Sequence, residues 1–192
     1  MGQGPPDNRS DDVRLIGRAV ENDDWIEGFL AEMPMGVVGL VDEGSPYLVN
    51  QLFVYDPGEQ AIFLHGAATG RTRSVVEGDG TAEACLTASR MGELVPAEMP
   101  VDFDVEYESV VVVGEISLVA GKIDERRALE SIMTKFAPQL SAGDDDEPIA
   151  DDSIERTSVY RMDIEGWSAK RNDASDNDAT YEYQSVLNDR ED

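Results

Sequence analysis

Residues 61–73 constrain the fold most, because they join three kinds of local pattern in a short stretch. Ala61–Gly66 is a short, mostly apolar strand pattern, small residues follow, and Arg71 and Arg73 begin a predicted helix over residues 71–77. Backbone N–H groups at a helix start favour an anion, and arginines add charge-assisted hydrogen bonds that match phosphate oxygens. The stretch therefore predicts a phosphate-binding loop, with pairing of the arginines to surface acids such as Glu77 as the alternative.

The charge of the chain is strongly acidic. The formal net charge is −26, and only three of the 15 basic residues are lysines. A disordered acidic chain is one interpretation, but apolar runs such as residues 35–41 and 110–113 favour a packed core. We interpret the surface as halophilic, because at about 1 M salt the Debye length is only ~3 Å. Such a surface disfavours nucleic acid and anionic membranes as partners.

The chain offers little for disulfide or metal chemistry. A single cysteine, Cys85, allows no internal disulfide, and with one histidine, His65, no Cys/His zinc set can form. We predict no metal site. The first residues lack the basic and apolar regions of a signal peptide, and no apolar run has the length of a membrane span. We expect a cytoplasmic protein.

The rest of the pattern predicts six strands and two further helices. Residues 46–55 alternate in polarity as a strand does, and residues 56–59 form a turn signal. The predicted elements are a helix over 23–33, strands over 36–42, 46–55 and 61–66, a helix over 71–77, strands over 81–89 and 103–120, a helix over 125–136 and a strand over 157–167. Strands joined mainly by turns, with helices outside them, indicate a small antiparallel barrel.

The segments that flank this pattern are polar or acidic. We predict a flexible arm over residues 1–12, one barrel domain over residues 13–172 and an acidic tail over residues 173–192. Residues 141–152 are predicted to be a solvated acidic loop.

Three motifs resemble the pyridoxamine 5'-phosphate oxidase-like FMN-binding split barrels, especially the branch of the nitroimidazole-resistance proteins. The motifs are residues 46–50, the loop over residues 65–71, and the paired segments 107–114 and 167–170. The resemblance covers roughly residues 25–171. A lysine usually follows the loop arginine in the family; here Thr72 stands in that place and Arg73 comes next.

The resemblance implies a mainly β fold, a six-stranded antiparallel split β-barrel that binds FMN. It also implies a homodimer with the flavin at the subunit interface, acting as an oxidoreductase on a small-molecule substrate such as a nitro- or quinone-type acceptor. The implied cofactor-binding residues are Asn50, Gln51, His65, Gly70, Arg71, Thr72, Arg73, Ser109, Trp167 and Lys170. His65 is the candidate catalytic residue, since histidine exchanges protons near neutral pH. Trp167 also fits core, and Ser109 also fits an ordinary strand position.

Two other functions stay open from the sequence. One is an oxidoreductase that binds the deazaflavin F420; its acidic tail would require more basic residues than the chain offers. The other is a non-catalytic flavin- or haem-binding module, in which His65 would be the only possible histidine ligand.

Overall fold

The computed structural model describes residues 6–141, 149–174 and 179–183. Within them, six long strands form one barrel, preceded by the short strand β1 (Asp7–Asn8). The six are β2 (Met35–Asp42), β3 (Ser45–Asp56), β4 (Ala61–Ala67), β5 (Thr81–Val95), β6 (Asp104–Leu118) and β7 (Thr157–Asn172). The helices are α1 (Asp23–Glu32), α2 (Arg71–Gly78), α3 (Lys122–Phe136), α4 (Pro138–Ser141) and α5 (Asp151–Glu155).

Among themselves, the six long strands pair antiparallel, in the order β7-β4-β3-β2-β5-β6. The sheet closes because β6 also pairs with β7. Closure leaves the long strands without an open edge, which is how small barrels satisfy their backbone groups. The mainly β barrel predicted from the sequence is confirmed.

Local signals set the ends of several elements. The side chain of Asn22 accepts a hydrogen bond from the Trp25 N–H and caps α1. A two-residue turn with positive φ at Glu43 and Gly44 joins β2 to β3, as tight hairpins require. Asp56 accepts from the backbone N–H groups of Gly58 and Glu59, which confirms the predicted turn after β3.

The core lies inside the barrel and is closed at one end by α1. Phe53, Leu86 and Trp167 are among its fully buried side chains, and Ile26 and Leu30 of α1 join them. A second, smaller cluster lies outside the barrel, where α3 and α5 cover β4 and β7. The two clusters explain why β4 is apolar on both faces.

A bulge bends β7 against β6. The register shifts between Val113 and Gly114, so that β7 carries one extra residue there. A Cβ at Gly114 would collide with the carbonyl oxygen of Asp163, so only glycine fits this close approach of two backbones.

The predicted boundaries differ from the structure where pairing is non-local. β5 continues to Val95 and β7 to Asn172, well past the predicted ends, because each finds a partner in the long strand β6. Helix α3 begins at Lys122 after Gly121, three residues before the predicted start at residue 125. Part of the predicted acidic loop forms α5, while residues 142–148 lie outside the described residues.

The N-terminal segment also differs from the flexible arm predicted over residues 1–12. Its described part lies against the barrel, because Asp7–Asn8 pair in parallel with β7 and the Arg9 N–H donates to the Trp167 carbonyl at 2.7 Å. In the predicted tail, Tyr181 exchanges backbone hydrogen bonds with Leu94. Residues 1–5, 175–178 and 184–192 lie outside the described residues. No described helix is long and apolar enough to cross a membrane.

Lys135 joins α3 to the barrel, and no acid of the described part of the chain forms an ion pair with it. Its Nζ donates to the carbonyl oxygens of Met33 at 2.7 Å and Phe53 at 3.1 Å, and it lies over the Phe53 ring. Burial lowers the pKa of Lys135 to about 8, because the charged form loses water contacts.

This burial predicts a pH-dependent stability. The folded chain releases the Lys135 proton at a lower pH than the unfolded chain does, so the unfolded state binds more protons between about pH 8 and the ordinary pKa of 10.5. The contribution of Lys135 to the free energy of unfolding should therefore rise with pH across that interval. Lys135→Met should remove this rise. Denaturant titrations at several pH values measure the difference between variant and wild type.

The matched control is Lys122→Met. The pKa of Lys122 is raised by its hydrogen bond to Glu155, so its contribution falls with rising pH, opposite in sign to that of Lys135. Equal pH slopes for Lys135→Met and wild type would show that Lys135 titrates normally.

Candidate phosphate-binding cleft

The loop between β4 and α2 presents backbone donors to solvent. Gly70 precedes the helix with φ of 130°, a conformation that side chains disfavour, and it makes no side-chain cap. The Ser74 N–H and hydroxyl both bond to the Gly70 carbonyl, which fixes the first turn of α2. A helix start without a side-chain cap leaves N–H groups available to an anion.

A cleft of about 200 Å³ opens in front of this loop. Its lining comes from β3, β4, β7 and α2: Tyr47, Gln51, Gly66, Ala67, Thr69, Gly70, Arg71, Thr72, Arg73 and Tyr160. Five of the ten residues predicted from the sequence therefore meet here, namely Gln51, Gly70, Arg71, Thr72 and Arg73. Arg71 and Arg73 are the charged residues of this lining, and the carboxylates that they contact, Asp42 and Glu77, lie outside it.

Arg71 lies at the mouth of the cleft. Its Nε contacts Oδ2 of Asp42 at 2.6 Å, and its guanidinium carbon lies 4.4 Å from the centre of the Tyr47 ring. About half of its side-chain surface, 52%, is exposed. The predicted alternative, pairing of the arginines with surface acids, is thus present: Arg71 pairs with Asp42, and Arg73 pairs with Glu77, the acid named from the sequence.

Arg73 lies deeper and is more fully bonded. It pairs with both carboxylate oxygens of Glu77, at 3.1 and 3.2 Å, and donates to the hydroxyl of Ser158 at 3.2 Å. Glu77 raises the pKa of Arg73, and Arg73 lowers the pKa of Glu77, chiefly through these hydrogen bonds. Arg73 is therefore a fixed positive charge in the wall of the cleft.

Two buried polar groups of β7 lie at the inner side of the cleft: Tyr160 lines it, and Ser158 accepts a hydrogen bond from Arg73. Ser158 is only 1% exposed and Tyr160 only 2%. Burial raises the pKa of the Tyr160 hydroxyl, which therefore stays protonated at neutral pH and can donate a hydrogen bond.

His65 lies next to the loop but outside the set of lining residues. Ile62 and Leu64 point into the barrel core, so the alternation along β4 turns His65 to the outer side with Phe63. Its Nδ1 is buried and has no hydrogen-bond partner within the part of the chain that the structure describes. The imidazole is thus close to the cleft and not committed to a structural bond through Nδ1.

Asn50, Ser109 and Lys170 lie elsewhere, on the outer face of the barrel. Asn50 and Lys170 are exposed, and Ser109 pairs with Lys170 across β6 and β7. Lys170 stands twelve residues after Ser158 on one strand, which corresponds to roughly 40 Å of extended chain. Neither Ser109 nor Lys170 lines the cleft that Arg71 does.

An apolar surface covers the same outer face. We call Met35, Leu48, Leu52 and Val111 the outer patch; their exposed fractions are 50%, 67%, 40% and 38%. Met35 pairs with Leu52 across β2 and β3, and the patch continues to β6 through β5. Large apolar side chains on adjacent strands are typical of an interaction surface.

Trp167 lies in the core and not in a ligand site, which corrects its prediction as a cofactor contact. Its ring is 1% exposed and packs edge-on against Tyr55, and its Nε1 donates to Asp23 at 3.1 Å. The bulge near Gly114 determines on which side of the sheet this part of β7 falls.

Five lining residues were not among the predicted cofactor-binding residues: Tyr47, Gly66, Ala67, Thr69 and Tyr160. Asp42 and Ser158, which bond to Arg71 and Arg73, were not predicted either. Asp42 reaches Arg71 across a separation of 29 residues, which no local pattern encodes. Ser158 and Tyr160 face the loop because β7 pairs with β4, and Ser158 pairs directly with Gly66. Within residues 6–141, 149–174 and 179–183, no group of three His, Cys, Asp or Glu side chains could hold a metal ion.

Comparison with known proteins places this geometry in context. The family model described as pyridoxamine 5'-phosphate oxidase matches residues 22–171. No curated protein sequence matches the chain.

Solved structures with the same fold include three with high structural similarity. The flavocytochrome Anf3 from Azotobacter vinelandii has a TM-score of 0.74 and 22% identity over 94% of this chain and 89% of that chain. An FAD- and haem-binding protein from Mycobacterium smegmatis has a TM-score of 0.70 and 19% identity over 83% and 78%. A protein of Bacteroides thetaiotaomicron, described by its 5-nitroimidazole antibiotic resistance, has a TM-score of 0.64 and 22% identity over 80% and 86%.

Proposed function

The chain belongs to the pyridoxamine 5'-phosphate oxidase family, and we propose from this premise that it binds FMN, with the phosphate held in the cleft at the start of α2. The observation that carries the proposal is the pair Arg71 and Arg73 beside an uncapped helix start. Both are positioned in a chain where acids outnumber bases by 26. The N-terminal donors of α2 complete a site of the kind that binds phosphate.

The bound flavin would supply the redox chemistry, and the protein would bind and orient it. We propose an oxidoreductase that acts on a small molecule, a nitro- or quinone-type acceptor. His65 is the candidate for proton exchange near the flavin, because its Nδ1 is uncommitted among the described residues. Tyr160, protonated at neutral pH, would donate a hydrogen bond inside the cleft.

The phosphate contact predicts a ligand-selective effect of Arg71→Ala. A hydrogen bond to a charged group contributes about 1.5–3 kcal/mol, so FMN should bind about 10- to 150-fold more weakly. Riboflavin lacks the phosphate and should lose far less. Flavin-fluorescence titrations at one fixed, high KCl concentration measure both ligands.

Arg156→Ala is the matched control, because it changes the net charge equally. Arg156 is a surface arginine, 75% exposed, that pairs with Asp152 one helical turn away. Equal losses of FMN and riboflavin in Arg71→Ala would mean that the arginine supports the fold and does not contact the phosphate.

We further propose a homodimer with the flavin at the subunit interface. Two observations support it: Ser109 and Lys170 do not line the cleft of their own chain, and the outer patch joins their face of the barrel. A two-fold arrangement could bring the outer face of one copy to the cleft of the other, and it would bury the patch.

Leu48→Glu tests the dimer because Leu48 is the most exposed member of the outer patch. A buried unpaired carboxylate at an interface is costly, so the variant should become monomeric and bind FMN more weakly. Ile123→Glu, at an 85% exposed residue of α3, should change neither property. Light scattering in high salt measures the mass, and a wild-type monomer with stoichiometric FMN would exclude the dimer.

A haem-binding module is the second candidate. The uncommitted Nδ1 of His65 favours it, since this is the only histidine of the chain. The relatives named as a flavocytochrome and as an FAD- and haem-binding protein have the same fold.

Haem reconstitution separates this candidate from FMN alone. A haem held by His65 should give a Soret band that His65→Ala shifts or removes and that Arg71→Ala leaves unchanged. A spectrum that does not respond to His65→Ala would exclude histidine-ligated haem at this position.

A further inference from the structure

We propose that Asp42, Tyr47 and Thr72 are positioning residues that hold the Arg71 guanidinium ready for the phosphate. This inference rests on the proposed function of the cleft and assigns roles to side chains on three elements, β2, β3 and α2. None of the three needs to contact the phosphate itself. They act by fixing where the terminal nitrogens of Arg71 point.

The contacts of Arg71 leave one edge of its guanidinium available. Asp42 takes the Nε–H at 2.6 Å, and Tyr47 covers one face of the group. Within residues 6–141, 149–174 and 179–183, the two terminal nitrogens make no hydrogen bond to protein. These nitrogens form the edge that binds two phosphate oxygens side by side.

Holding an exposed arginine in place has a thermodynamic consequence. A free arginine loses rotamer entropy when a ligand orders it. The contacts with Asp42 and Tyr47 order the guanidinium before the ligand arrives. A larger share of the free energy of the phosphate contact is then available for binding.

Tyr47 is itself held by Thr72. The two hydroxyl oxygens are 3.1 Å apart, which links β3 to the first turn of α2. Thr72 stands where the resemblance leads one to expect a lysine. In this chain, a hydroxyl that orients the Tyr47 ring under Arg71 replaces a direct positive charge.

The β2–β3 turn fixes Asp42. Asp42 pairs with Ser45 at the end of the hairpin, and Glu43 and Gly44 complete the two-residue turn with φ of 49° and 79°. Because the backbone at Asp42 is paired on the hairpin, its carboxylate approaches Arg71 from a defined side.

A competing possibility predicts the opposite effect of removing Asp42 on FMN binding. If Asp42 occupied the place of the phosphate, its removal would tighten FMN binding. The geometry favours positioning, because the carboxylate uses the Nε side and leaves the terminal nitrogens to the ligand.

The first experiment titrates FMN and riboflavin into wild type, Asp42→Ala and Asp42→Asn. Asp42→Ala should weaken FMN about 3- to 10-fold, the usual range for loss of one supporting hydrogen bond, and should leave riboflavin nearly unchanged. Asp42→Asn keeps an acceptor for the Nε–H and should bind FMN more tightly than Asp42→Ala does. Binding of FMN to Asp42→Ala that equals or exceeds the wild-type affinity overturns the proposal.

The second experiment is a double-mutant cycle of Tyr47→Phe and Thr72→Val. Each variant removes one hydroxyl and keeps the shape of its side chain. Each should weaken FMN about 2- to 10-fold, and the double variant should be no weaker than the weaker single variant, because both remove the same contact. Additive losses, or equal losses for riboflavin, overturn the role of this pair; melting temperatures of all variants verify that they are folded.

Arg71→Ala distinguishes failure of the proposed phosphate site from failure of the positioning proposal. If it leaves FMN binding unchanged, the phosphate site of the proposed function fails. If it weakens FMN selectively while Asp42→Ala and the hydroxyl variants do not, the site stands and the positioning proposal fails.

Discussion

The pairing of β6 with β7 is the constraint on which the other features depend. Twelve residue pairs join the two strands and close the barrel, and a bulge at Gly114 lets the long β7 bend around the core. Closure places the first part of β7 beside β4, where Ser158 pairs with Gly66 and Tyr160 with Leu64. The same strand therefore supplies the inner wall of the cleft at one end and the outer-face residue Lys170 at the other.

This arrangement explains how a short loop can form a binding site with fixed geometry. The loop supplies only donors and two arginines, and its geometry comes from strands distant in sequence. Arg73 is fixed by Ser158 of β7, whereas Arg71 is held by Asp42 and Tyr47 from the β2–β3 hairpin. One arginine is thus a half-buried, bonded charge in the wall, and the other is an exposed group whose terminal nitrogens bond to none of the described residues.

Local patterns predicted what depends on neighbouring residues. Alternation, turn signals and the strand–loop–helix stretch predicted the barrel strands, the Asp56 turn and the meeting of Gly70, Arg71, Thr72 and Arg73. The sequence could not reveal that Asp42 would contact Arg71, since that contact depends on hairpin and helix packing. Trp167 was misassigned for a similar reason: a one-residue register change at a bulge decides which face of a strand is buried.

An acidic chain can bind an anionic ligand because the repulsion from its distant carboxylates and the attraction of the arginines in the cleft act over different distances. At low salt, a net charge of −26 repels a phosphate from a distance, and two arginines offset only part of that field. At about 1 M salt the Debye length falls to ~3 Å, so distant carboxylates are screened. Hydrogen-bonded contacts within the cleft are shorter than or similar to that length and are screened least. An acidic surface and a basic cleft are therefore compatible where salt removes the long-range repulsion and pre-positioned arginines keep the short-range attraction.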